Sequence, residues 1–215
     1  MYINFVKRFI DIIIGILAFP FVLVLIIIMG PIIYFNDKGP IFYNAERLGL
    51  NGKPFKMFKF RSMFVNAPDI RNEDGSTYNG DDDPRVTKVG RFMRKTSLDE
   101  IPQFLNVLLG DMSLIGPRPD PLDDMNIYTK HQKKKLIVRP GITGYNQAYY
   151  RNSVEQNEKF EHDVYYAENV SFLLDLKIFF KTFATVLSHD SVYNDASNLS
   201  EENKVKVQKM RNNND

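Results

Sequence analysis

Ile12-Ile13-Ile14-Gly15-Ile16-Leu17-Ala18-Phe19-Pro20-Phe21-Val22-Leu23-Val24-Leu25-Ile26-Ile27-Ile28-Met29-Gly30-Pro31-Ile32-Ile33-Tyr34-Phe35 is an unbroken run of 24 residues without a charge. About 20 apolar residues cross the hydrocarbon of a bilayer as a helix, so this segment reads as a membrane element. It is too long for the apolar core of a signal peptide, and no small-x-small cleavage site follows it. Pro20 removes one helical hydrogen bond and bends the axis there. Basic residues flank both ends, Lys7 and Arg8 before the run and Lys38, Arg47, Lys53, Lys56 and Lys59 after it, so the charge rule for cytoplasmic loops gives no asymmetry. Two half-helices that enter and leave by one face satisfy both facts. A kinked single span is the alternative, and length alone does not decide between them.

Outside this head the chain is water-loving. Mean hydropathy over the whole protein is −0.29, despite the apolar run. With 215 residues, 44 % hydrophobic and 25 % charged, the chain holds one domain with a core and is neither a disordered polymer nor a multi-span transporter. The absence of cysteine excludes disulfide frameworks, thiolate nucleophiles and Cys-based zinc sites. Lys plus Arg (28) against Asp plus Glu (26) leaves +2, which gives no reason to expect nucleic acid as a partner.

The pattern predicts an α-rich α+β protein in three parts: a membrane-inserted helix-break-helix over 1–36, a compact domain with a small β element over 37–188, and a polar tail over 189–215. Phe55 to Met63 reads as a strand with Met57, Lys59 and Arg61 on one side. Residues 66–84 are polar and end in Asp81-Asp82-Asp83-Pro84, which reads as a solvated loop because it lacks the alternating spacing of a calcium site. A basic stretch (Arg85, Lys88, Arg91, Arg94, Lys95) leads into a helix near 98–109, closed by Gly110. A second helix over 172–187 carries Phe172, Leu176, Phe179, Phe180, Phe183 and Leu187 as one stripe, suited either to a core or to a membrane interface. Lys133-Lys134-Lys135 reads as a solvated face, and the Asn-rich tail as loose. His131, His162 and His189 form no metal pair.

The segment Arg94-Lys95-Thr96-Ser97-Leu98-Asp99-Glu100-Ile101-Pro102-Gln103 is the richest in chemistry. Locally, Ser97 and Glu100 have capping-box spacing, while Pro102 fits better if Asp99 is the cap. Adjacent carboxylates behind a cluster of cations also suit a metal–phosphate site, because Mg²⁺ takes one or two carboxylates plus phosphate oxygens. One carboxylate could attack phosphorus if guanidinium groups screen the two anions. Gly116-Pro117-Arg118-Pro119 holds an Arg between prolines, which reads as a turn or as a pre-aimed phosphate fork. Lys59 and Arg61 are anion ligands or a solvated strand face. Arg139-Pro140-Gly141-Ile142-Thr143-Gly144 is a rigid substrate loop or an ordinary turn.

Together these segments resemble the bacterial sugar transferases known as small monotopic phosphoglycosyl transferases. The resemblance rests on Lys7-Arg8 with Asp11, Lys59-Phe60-Arg61-Ser62-Met63, Pro84 through Arg91, Ser97-Leu98-Asp99-Glu100, and Gly110-Asp111-Met112-Ser113 with Gly116-Pro117-Arg118-Pro119. It continues through Arg139 to Gly144, Phe160-Glu161, Asp163 to Tyr166, and Phe172 to Lys177. It spans roughly residues 3–187.

The resemblance implies that Asp99 attacks the β-phosphate of a UDP-sugar, releasing UMP, and that undecaprenyl phosphate then takes the phosphosugar. It implies Asp99 and Glu100 as catalytic residues and Mg²⁺ ligands. The candidate substrate-binding cations are Lys59, Arg61, Arg91, Arg94, Arg118, Arg139 and Arg151. It further implies a re-entrant helix, attachment to the cytoplasmic face of the bacterial inner membrane, and other enzymes of a glycan pathway as partners. Phe19 stands where the family carries Ser before the hairpin proline, and Tyr145 where it carries Trp. A membrane-tethered nucleotide-sugar hydrolase and a non-catalytic membrane adaptor are the competing readings.

Overall fold

In the computed structural model the uncharged run lies inside one long helix, α1 (Lys7–Asp37), which continues through both Pro20 and Pro31. The structure describes residues 2–75, 77–80, 83–150, 154–187 and 199–214. The break expected at Pro20 is therefore not a break in the helix. Lys38 ends it in the left-handed conformation, its amide donating to Tyr34 O.

Most apolar side chains of α1 are exposed, including Phe9, Leu17, Phe21, Ile27 and Phe35, so the protein's own core covers little of it. Its polar ends are held firmly. At the N-terminal end Lys7 pairs with Asp175 at 2.6 Å, Arg8 donates to Val107 O and Leu108 O at 2.6 and 2.9 Å, and Asp11 accepts from Ser113 Oγ and the Leu114 amide. At the C-terminal end Asp37 binds both terminal nitrogens of Arg61. Met29 and Ile33 pack with Phe60 and Met93.

The rest is helical, with two small sheets. An antiparallel hairpin pairs β1 (Ala45–Leu48) with β2 (Pro54–Met57), Ala45 opposite Met57 and Leu48 opposite Pro54. Helix α2 (Lys88–Lys95) opens with Thr87, whose hydroxyl accepts from the Gly90 amide at 2.9 Å. A 3₁₀ turn, Leu98–Glu100, leads to α3 (Gln103–Leu109), and Gly110 closes α3 at φ +97°. A parallel pair follows, β3 (Ser113–Ile115) with β4 (Gly141–Thr143). Helices α4 (Tyr145–Tyr149), α5 (Gln156–Glu168), α6 (Phe172–Leu187) and α7 (Glu201–Asn214) complete the chain.

Several expectations change. The strand ends at Met57 rather than Met63 because the Phe58 amide turns to Asn106 Oδ1 and the Phe60 amide to Asp99 O; beyond this interruption the antiparallel bridge Phe42–Phe60 resumes the same register. The helix near 98–109 starts as a 3₁₀ turn: Ser97 sits at φ +56° without a side-chain cap bond, and Pro102 occupies the cap position of α3. The basic stretch contains a helix of its own, α2. Asp83 is fully buried and paired with Arg85 at 2.7 Å, not solvated; Asp81 and Asp82 lie outside the described residues. Part of the tail is ordered as α7, whose Val207 meets Leu199, Ile70 and Tyr78. Leu187 and His189 cannot be placed, since the side chain of one and the whole of the other fall outside the described residues.

The stripe on α6 faces outward. Phe172, Phe180 and Phe183 are more than half exposed, while Ile178 on the opposite side is fully buried with Ile115, Val138 and Tyr166. Packing among the described residues does not account for the stripe.

Candidate active site

Asp99 is 2 % exposed, the most sequestered position of its 3₁₀ turn. Its backbone carbonyl accepts from the Phe60 amide at 2.9 Å, and Phe60 is itself fully buried, stacked on Phe42 with ring centroids 5.5 Å apart. This bond brings Lys59 against the acid pair: its ammonium lies 3.0 Å from Asp99 Oδ2 and 2.9 Å from Glu100 Oε1. Asn106 of α3 fixes the approach, accepting from the Phe58 amide at 2.8 Å and donating to Lys56 O at 2.8 Å. Lys59 is therefore not part of a solvated strand face. One cation is shared by two adjacent carboxylates.

Burial alone would push Lys59 down, but Glu100 and Asp99 outweigh it and raise its pKa. Burial would likewise raise Glu100, whereas Lys59, then Arg118 and Arg94, bring it below the ordinary carboxylate range. Both groups are charged at neutral pH.

Arg118 is exposed and has no hydrogen bond or ion pair among the described residues, yet its charge reaches Glu100 and Lys59. Its loop is rigid for a reason visible in both glycine motifs. Ser113 and Gly116 amides donate to Pro140 O and Thr143 O at 2.8 and 2.9 Å, and the Gly141 amide to Pro117 O at 2.9 Å. A Cβ on Gly116 would lie 2.3 Å from Arg139 O, and one on Gly141 2.1 Å from Gly116 N, so the two chains pass backbone to backbone. The Gly-Ile-Thr-Gly turn thus buttresses the loop that presents Arg118.

The other sequence-predicted cations are distributed unevenly. Arg94 lies near the acid pair, donating to Ser62 Oγ and Asn79 Oδ1 at 2.9 and 3.1 Å. Arg91 is half-buried on α2, its Nε buried without a hydrogen-bond partner. Arg61 is committed elsewhere: Asp37, Pro40 O and Met63 O take its donors, making it the clasp of α1 rather than a free anion ligand. Arg139 donates to Gly110 O at 2.8 Å, at the far end of α3 from the acids, beside Arg8. Arg151 falls outside the described residues.

Two cations that the sequence reading did not single out for the site stand near Arg118. Burial lowers Arg47, as does the charge of Arg118, although Tyr43 opposes it; burial lowers Lys159 too, with Arg118 adding to the effect against Asp74. Arg47 lies on β1, whose bridge to Pro121 runs beside the Arg118 loop. Such cations are invisible to motif reading because their neighbours are set by tertiary packing. Among the described residues no three His, Asp or Glu converge as a self-sufficient metal cage. The two acids remain the available metal donors.

An acid pair under a shared ammonium, within electrostatic reach of a guanidinium that has no partner among the described residues, has the makings of a phosphate-handling centre. The chain belongs to the bacterial sugar transferase family, whose profile matches residues 2–189. Among its relatives are a sugar transferase of Haemophilus influenzae, 41 % identical over 204 residues (87 % of this chain, 42 % of that one), and the sugar transferase EpsL of Bacillus subtilis, 41 % identical over 186 residues (86 % and 89 %). It is also 38 % identical over 207 residues to the undecaprenyl-phosphate galactose phosphotransferase of Salmonella typhimurium (88 % and 42 %). The chain thus spans less than half of some curated relatives and most of others.

Proposed function

We propose that this chain transfers a sugar phosphate from a UDP-sugar to undecaprenyl phosphate, with Asp99 as the nucleophile. The observation that carries the reading is the buried Asp99 sharing one ammonium with Glu100, whose charge Arg118, without a partner among the described residues, also stabilises. Family membership and the activity named for the Salmonella relative support it. A carboxylate oxygen of Asp99 attacks the β-phosphorus; a phosphorus–oxygen bond forms there, the bridge to the α-phosphate breaks, and UMP leaves with the electron pair. An oxygen of undecaprenyl phosphate then attacks the same phosphorus and returns Asp99 as a free carboxylate. Arg118 and Arg94 hold the phosphate oxygens, and Lys59 neutralises the acids until substrate arrives.

Two adjacent carboxylates, one kept ionised by its cationic surroundings, fit Mg²⁺, which wants few protein oxygens and takes the rest from phosphate and water. Asp99 and Glu100 would hold it. When bound, the ion neutralises charge developing on the phosphoryl oxygens.

For the membrane, the reading is a re-entrant α1 on the cytoplasmic face of the bacterial inner membrane, handing its product to other enzymes of a glycan pathway. In support, both ends of α1 are clasped by the rest of the chain, through Arg8 and Asp11 at one end and Asp37 at the other. A straight helix of 31 residues would hold those ends roughly 45 Å apart, so the reading has α1 bend at Pro20 without losing its helical continuity. Residues 1–36 then form the inserted part and 37–188 the catalytic domain. The outward Phe stripe of α6 suits an interface rather than a core.

The test uses the full chain in detergent with a panel of labelled UDP-sugars. Without acceptor, one sugar phosphate should remain on the protein as UMP appears; undecaprenyl phosphate should discharge it to lipid. Asp99→Asn should do neither. UMP release by that variant at the wild-type rate would overturn the reading, and continuous release of sugar phosphate to water would identify a hydrolase.

A further inference from the structure

Lys135 belongs to a run of three lysines, yet it is 2 % exposed. Its ammonium touches Asp120 Oδ2 and Asp163 Oδ2, each at 2.5 Å, and lies 5.1 Å from the centre of the Phe160 ring and 5.6 Å from that of Tyr128. Tyr128 donates to the same Asp120 oxygen at 2.6 Å. Three distant pieces of chain meet here: the loop after Arg118, the 3₁₀ turn Gln132–Ile137 and helix α5. Only a few interactions justify burying three ionisable groups, because desolvation rivals their mutual attraction. A hydrophobic trio of the same volume would fill the space as well.

The distinguishing fact is what lies on top. Asp120 is two residues beyond Arg118, and its carbonyl accepts from the Leu48 amide at 2.9 Å. Arg118 lines one small cavity together with Asp120, Tyr128 and Lys135. Arg118 itself has no carboxylate partner among the described residues. A guanidinium awaiting an anion has to be aimed through its backbone, since an ion pair on its own side chain would occupy the donors that the ligand needs. The two acids and one lysine also carry a net negative charge beneath that guanidinium, which favours a cation standing there.

We infer that Lys135, with Asp120 and Asp163, is a positioning device that aims Arg118 at the diphosphate of the sugar nucleotide. The inference rests on the function proposed above and adds residues to it.

The probe is UDP, so the sugar need not be known. Its affinity for the full chain in detergent is measured by titration, with the folded fraction checked by near-ultraviolet circular dichroism. Arg118→Ala should weaken UDP at least tenfold. Lys135→Met should weaken it by a similar factor, and the double variant should be no weaker than Arg118→Ala alone. If Lys135→Met does not fold, Asp163→Asn takes its place, because it keeps the Lys135–Asp120 pair; it should weaken UDP threefold or more in the wild-type background and not at all beside Arg118→Ala. Losses that multiply, or undiminished affinity in Lys135→Met, would overturn this inference alone. Undiminished affinity in Arg118→Ala would overturn both it and the role given to Arg118.

Discussion

Replacing Lys59 by Met removes the only side-chain partner of Asp99 among the described residues and one of the charges holding Glu100 down. Breaking a buried ion pair from one side costs about 3–5 kcal/mol, because the remaining charge is left in a poorly solvated place. Lys59 is 20 % exposed and the Glu100 side chain 31 %, so water offsets part of this and the lower end, about 3 kcal/mol, applies. Asp99, at 2 % exposure, escapes most of that relief. Without the ammonium, an incoming anionic diphosphate meets two uncompensated carboxylates. Each 1.36 kcal/mol of that repulsion is a tenfold change in rate, so kcat/KM should fall by about two decades at pH 7. UMP release at pH 7, with urea unfolding of the same preparation, measures both effects; Lys59→Arg, which keeps the charge, should retain more of each. A Lys59→Met variant within threefold of wild type at pH 7, and within 0.5 kcal/mol in stability (about half the typical effect of a point mutation), would refute the claim that this ammonium neutralises the acid pair.

Three further outcomes follow from the geometry. Asp37→Asn should destabilise by about 2–3 kcal/mol, less than the full cost of a broken buried pair because Pro40 O and Met63 O still hold Arg61; hydrogen exchange should quicken at residues 37–43. Asp124 and Asp163 are both pushed up to about 6, chiefly by burial, so the folded state binds more protons than the unfolded one between about pH 4 and 6. Stability contributed by these groups is present below the unfolded value and lost as pH rises through about 6; thermal melts over pH 4–7 should show the decline, and Asp124→Asn should flatten it. Gly90→Ala should cost about 3 kcal/mol or prevent folding, because its Cβ would lie 1.8 Å from the Ser62 carbonyl oxygen; expression and a urea midpoint decide it.

What could be read from the chain beforehand was whatever depends on near neighbours. The uncharged run declared a long apolar helix because length and composition suffice for that. Asp99-Glu100 stood out because two acids follow a cluster of cations. Lys59 and Arg61 looked like one strand face, yet they serve different partners, Lys59 the acid pair and Arg61 the end of α1, both chosen by folding over dozens of residues. Lys135 was misjudged with its two neighbours, since nothing local to a triple lysine says that Asp120 and Asp163 await one member. Helix α2 escaped notice among its basic residues, although Val89 and Met93 give it an inward face. The tail reads as loose by composition, and α7 gains its footing from Ile70 and Tyr78, more than a hundred residues away.

Lys59 and Phe60 are neighbours on the chain, and both hold Asp99: Lys59 through its side-chain charge, Phe60 through its backbone amide, which donates to the Asp99 carbonyl. Acid and counter-cation are consequently mounted on the same short splint. When surrounding segments breathe, the two travel together, and their spacing changes less than either position does. Tremor in the greasy helix or the remote tail reaches them as common drift, so the reacting oxygen keeps its electrical setting while the scaffold moves.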